Sequence, residues 1–146
     1  KAVELRSDSV MAHYQLAMAL FQTGDLKGAA PEFEAAVARN PRSADMHFSL
    51  ASVYVRIDRM ADAKKELEAA LRLKPALFQA NMMMGQILVL EKKGAAALPY
   101  LQKALRAQPN LADVHSLLSD AYAQTGDKRK SAEERKLAEQ LKNPNR

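Results

Sequence analysis

Residues 23–41 read TGDLKGAAPEFEAAVARNP. The stretch opens on a Thr-Gly-Asp break and closes on Asn-Pro. Between the breaks Ala29, Phe33, Ala36 and Val37 recur at the spacing of one helix face. Gly24 permits a turn, and Asp25 can cap the helix that follows. Pro41 cannot continue it. The fold turns on whether this unit recurs.

It does. Pro41, Pro75 and Pro109 are spaced 34 residues apart, as are His13 and His47, and His115 is in the same phase. Leu16, Leu50, Met84 and Leu118 then share a column, followed by a small one: Ala17, Ala51, Gly85 and Ser119. Leu20, Tyr54, Leu88 and Tyr122 align. So do Ala29, Ala63, Ala97 and Ser131; Phe33, Leu67, Leu101 and Arg135; and Ala36, Ala70, Ala104 and Ala138. The pattern predicts a helical hairpin, repeated. The small column lets the paired helices approach closely. A second Thr-Gly-Asp at residues 125–127 marks the break of the last hairpin, and Asp58 is the expected cap in the second.

With this period, a closing proline and an Ala-x3-Phe pair, the chain resembles the tetratricopeptide repeat family over essentially its whole length. The expected repeats are 10–43, 44–77, 78–111 and 112–145, with 1–9 as the end of a preceding, truncated repeat. The resemblance implies an all-α fold, a right-handed superhelical array of hairpins. His13, His47, Asn81 and His115 depart from the family, which usually has Trp there. Pro31 and Pro99, several residues into their helices, depart too, and an outer face would tolerate them.

Composition agrees. The 146 residues suffice for one domain, aromatics are only 5%, and there is no cysteine, which excludes disulfides and thiol chemistry. No apolar run reaches the 18 or so residues of a membrane span. The net charge of +5 is concentrated in residues 128–146, with seven Lys/Arg against three Asp/Glu. That end has no aromatic residue for base stacking, so we expect no nucleic-acid partner. The first residue is Lys1, not Met. A missing leader therefore decides nothing about compartment, and our expectation is cytoplasmic.

No catalytic motif is present, and we expect no enzyme, no cofactor and no metal. Equivalent histidines of neighbouring hairpins should lie a helix spacing apart, about 8–10 Å, too far to share zinc. They are expected to wedge between paired helices. The acidic pairs Glu32/Glu34 and Glu133/Glu134 and the basic pairs Lys64/Lys65 and Lys92/Lys93 read as solvated faces.

The resemblance also implies where a partner would lie. In that family the first helix of each hairpin lines a concave groove that holds a peptide or helix of another protein. Carried over, the lining is Met11, Tyr14, Met18 and Phe21; Asp45, Phe48, Ser52, Val55 and Arg56; Gln79, Met82, Gln86 and Val89; and Asp113, Ser116, Asp120 and Gln124. Of the run Met82, Met83 and Met84, Met84 falls in the core column, Met82 faces the groove and Met83 the flank. Groove methionines are adaptable, and Phe21, Phe48 and Tyr14 add large apolar surface. Relatives that grip a C-terminal carboxylate use Lys, Arg and Asn at such positions; here Asp45 would repel one. The expected partner is a protein segment, apolar with some basic character. Alternatives are a structural part of a longer array, or a regulatory arm of a larger protein.

The two ends differ. Arg135 and Ser131 replace apolar residues, so the last helix reads as a polar cap packed through Ala132, Leu137, Ala138 and Leu141, with residues 143–146 frayed. Ala2, Val3 and Ser7 fall in the columns of Ala36, Val37 and Pro41. The first hairpin should then expose a face made to be covered, and we expect a homodimer through it.

Overall fold

The computed structural model describes the backbone of residues 2–145 and the side chains from Asp8 to Asn145. Among them are eight helices and no strand: α1 (Ala2–Gln22), α2 (Leu26–Arg39), α3 (Ala44–Arg56), α4 (Met60–Leu73), α5 (Phe78–Leu90), α6 (Gly94–Ala107), α7 (Ala112–Thr125) and α8 (Lys128–Lys142). They form two compact units, Lys1–Pro75 and Ala76–Arg146. In the first, α1 pairs with α2 and α3 with α4, and α2 packs on α3. In the second, α5 pairs with α6 and α7 with α8, and α7 packs on α6 and α5.

The two helices of each hairpin meet through the small columns. Ala17, Ala51, Ala29, Ala63 and Ala97 are fully buried. A Cβ added at Gly85 would come within 2.4 Å of Leu101 Cδ2, so glycine sets how closely α5 and α6 approach. Phe33, Leu67 and Leu101 fill the space beside them. Each such buried side chain contributes about 1.5–3 kcal/mol. Pro31 and Pro99 lie within α2 and α6 on exposed positions, where a lost donor costs least.

The turns inside the four hairpins are one motif. Asp25, Arg59, Lys93 and Asp127 donate their N–H to the carbonyls of Leu20, Tyr54, Leu88 and Tyr122 at 2.7–3.0 Å. The residue before each is left-handed: Gly24 (φ 87°), Asp58 (62°), Lys92 (62°) and Gly126 (85°). Asp25 and Asp127 then cap through their side chains, accepting from Gly28 N and Lys130 N. Asp58 does not cap α4. It stands where the other turns have glycine, and the residue at the cap is Arg59, which makes no side-chain cap bond.

Three further expectations need correction. Leu16 is 49% exposed, whereas Leu50, Met84 and Leu118 of the same column are 2%, 2% and 1% exposed, because no described element covers that face of α1. α1 runs unbroken through residue 7, so a serine in the proline column does not interrupt it; the side chains of Ala2, Val3 and Ser7 lie outside the described residues, as does Arg146. On α8, Ser131 and Ala138 are buried, but Ala132, Leu137 and Leu141 are exposed. The helix is narrower in its packing than its sequence suggests.

Candidate functional site

The histidines build the hairpins. His13 Nδ1 meets Glu32 at 2.5 Å, His47 Nδ1 meets Glu66 at 2.6 Å, and His115 Nδ1 meets Glu134 at 2.5 Å. Each pair spans 19 residues, from the first helix of a hairpin to its second. His47 Nε2 and His115 Nε2 also reach the carbonyls of Pro41 and Pro109 at 2.8 and 2.7 Å. Both partners are acceptors, so both bonds form together only when both ring nitrogens carry a proton. At His115, burial disfavours the charge. The hydrogen bond to Glu134, the bond to Pro109 and the Glu134 charge outweigh it, and the pKa is raised.

Glu32 and Glu134 are therefore not merely solvated, and neither is Glu34, which accepts the Tyr54 hydroxyl at 2.7 Å. Burial, followed by that bond, pushes the phenol of Tyr54 upward. Arg59 lies 4.4 Å over the same ring and 3.7 Å from Glu34. Among the described residues no group of three or more His, Asp or Glu side chains is placed to hold a metal ion, and no helix is long and apolar enough to cross a membrane.

The residues expected to line a partner groove lie on first helices, and three contacts set those helices side by side. In unit 1, the Tyr14 hydroxyl is 3.2 Å from Ser49 Oγ, and the Arg56 guanidinium lies 4.9 Å over the Phe21 ring. In unit 2, Gln124 Nε2 donates to the Val89 carbonyl at 2.9 Å. The two hydrogen bonds each span 35 residues, one repeat plus one, and Phe21 and Arg56 have the same offset.

In unit 1, α1 and α3 present Met11, Met18, Phe21, Phe48 and Val55, all exposed or half-buried. Tyr14 turns inward, edge-on to Phe33 with ring centres 5.7 Å apart. Ser52 Oγ donates to the Phe48 carbonyl at 3.0 Å, and Asp45 is 3.7 Å from Lys74 Nζ. In unit 2, Met82 and Ser116 are half-buried, and Gln79, Gln86, Asp113, Asp120 and Gln124 are exposed. Val89 is the exception: it is buried, with its carbonyl taken by Gln124, and presents no side chain to a partner. Met84 lies in the core, and Met83 is half-buried beside Met82.

A family model described as Tetratricopeptide repeat matches residues 14–78, 50–112 and 82–140. No curated protein matches the sequence significantly. Among solved structures, a crystal structure of MamA superposes with TM-score 0.87 at 18% identity, covering 99% of this chain and 84% of that one. MamA from residue 41 to its end, from Desulfovibrio magneticus RS-1, gives 0.89 at 20% identity, covering 94% and 77%. The MSR-1 form of MamA gives 0.83 at 22%, covering 94% and 79%. At these identities the likeness shows the fold alone.

Proposed function

We propose, because the chain belongs to the tetratricopeptide repeat family, that it is a protein-interaction module whose first helices hold an apolar or amphipathic segment of a partner protein. One observation carries the reading. In unit 1, Met11 is exposed and Met18, Phe21, Phe48 and Val55 are half-buried, so apolar side chains meet solvent on two helices that are tied together. The surface is already formed, so binding a segment costs little reordering, and a few anchors dominate the affinity. On α7 of unit 2, exposed Asp113 and Asp120 favour a segment with basic character at that helix.

Affinity capture from the source lysate tests this, with Phe48→Ala plus Met82→Glu as the comparison. Neither side chain is fully buried, so helicity should hold while capture is lost. If the double variant captures the same proteins as the wild type, the reading is wrong.

A second reading, self-association, rests on Leu16. Ala12, Leu16 and Ala19 form an exposed stripe on α1, while their equivalents on α3 (Met46, Leu50, Val53) and on α7 (Val114, Leu118, Ala121) are buried. A second copy covering that stripe would give a dimer that grows with concentration in sedimentation and is weakened by Leu16→Glu.

A further inference from the structure

Two of the histidines do more than close their hairpins. His47 and His115 are buried, and each ring stands between two acceptors. On Nδ1 the acceptor is a glutamate of the second helix, at 2.6 and 2.5 Å. On Nε2 it is the carbonyl of Pro41 or Pro109, at 2.8 and 2.7 Å. Pro41 lies between α2 and α3, and Pro109 between α6 and α7. One ring therefore ties a hairpin together and also ties it to the connection from the hairpin before.

A neutral imidazole has one N–H and cannot serve both acceptors. On losing a proton it keeps the bond to the carboxylate, because a charged acceptor holds an N–H more strongly than a carbonyl does. A lone pair then faces the proline carbonyl, and the bond to the connection is the one lost. The groups around each ring fit this. His115 meets Glu134 from α8 and the Pro109 carbonyl, and among the described residues no other charge acts on it. His47 meets Glu66 from α4, while Glu34 of α2 is bonded to Tyr54 instead. The third hairpin has no titrating group at this place. Asn81 stands six residues after Pro75, as His47 does after Pro41, and its Nδ2 donates to the Leu77 carbonyl at 3.2 Å.

We propose that His47 and His115 are proton-operated clasps: protonated, they hold each hairpin to the connection before it, and as pH rises they release that connection while the hairpins stay closed. Each clasp acts within one unit, His47 in Lys1–Pro75 and His115 in Ala76–Arg146. The released connections lead into α3 and α7, the helices set against α1 and α5 by the Tyr14–Ser49 and Gln124–Val89 bonds.

Amide exchange on the intact chain reads this locally, as protection factors corrected for the intrinsic effect of pH. The amides of His47 and Val114 close the first turns of α3 and α7 on the carbonyls of Ser43 and Leu111, and the Asn81 amide closes that of α5 on Leu77. Between pH 5.5 and 8.5, protection at His47 and Val114 should fall at least tenfold, and protection at Asn81 should not change. Long-range 1H–15N spectra of the histidine rings should show both nitrogens protonated at the lower pH and Nδ1–H alone at the higher. His47→Asn, the residue that the third hairpin already accommodates, should flatten the pH dependence at α3 and leave that at α7 intact. An Nε2–H tautomer at pH 8.5 would overturn the proposal, because the bond to the connection would then be the one kept. So would unchanged protection at His47 and Val114, or an equal fall at Asn81, which would mean that the whole chain loosens.

Discussion

The guanidinium carbon of Arg56 lies 4.9 Å from the ring centre of Phe21, joining the last turn of α3 to the last turn of α1. A cation over an aromatic face at an exposed site contributes about 0.5–1 kcal/mol. A double-mutant cycle with Arg56→Met and Phe21→Leu should return a coupling near that value in urea unfolding. Additive losses would mean the two side chains are neighbours without attraction.

Leu16 and Leu50 share a repeat column and differ in burial. Leu50→Ala should cost roughly 2–5 kcal/mol, the range for a large-to-small change in a core. Leu16→Ala should stay within about 0.5 kcal/mol of wild type, as surface substitutions do. Similar losses at both positions would show that the exposed face of α1 is covered in solution.

Lys92 and Asp58 hold the left-handed conformation that Gly24 and Gly126 adopt freely. Lys92→Gly should therefore stabilise the chain by about 0.5–1 kcal/mol, and Gly126→Ala should destabilise it by at least as much. Thermal melts of the two variants read this directly. A lower melting temperature for Lys92→Gly would contradict the turn assignment.

His115 sets a pH dependence. Its pKa is higher in the folded chain than in a free imidazole, so folding favours its protonated form. That stability is fully present below the unfolded value of about 6.5 and is lost as pH rises through the folded value. His115→Asn should cost more stability at pH 5.5 than at pH 8.5, measured by urea midpoints. Equal losses at the two values would remove the charge from the account.

The repeat and its helices are legible in the sequence because they rest on spacing, and spacing survives substitution. Gly24 and Gly126 announce their turns. Asp58 and Lys92 make the same turn without a residue type that demands it, so only the backbone shows them. The glutamates are hidden for a different reason. Glu32, Glu66 and Glu134 look like surface charges until the hairpin closes and brings each within reach of a histidine 19 residues away. Leu16 and Val89 were misplaced because a column gives a direction from the helix axis, and burial depends on what lies there. Over Leu16 no described element lies; the Val89 side chain is buried and its carbonyl accepts from Gln124. Phe48 and Met82 were legible as candidates only through the resemblance, since nothing in their spacing separates a binding face from a packing face.

The most direct measurement of the central claim uses the methionines themselves. Spectra of the chain labelled with 13C at the methionine methyl groups, recorded as the captured partner segment is added, report on both faces at once. Met11, Met18 and Met82 are exposed or half-buried on first helices, while Met46 and Met84 are buried. The account predicts that the signals of Met11, Met18 and Met82 move with the segment and those of Met46 and Met84 stay. A complex that forms with all three unmoved would place the partner elsewhere and contradict it.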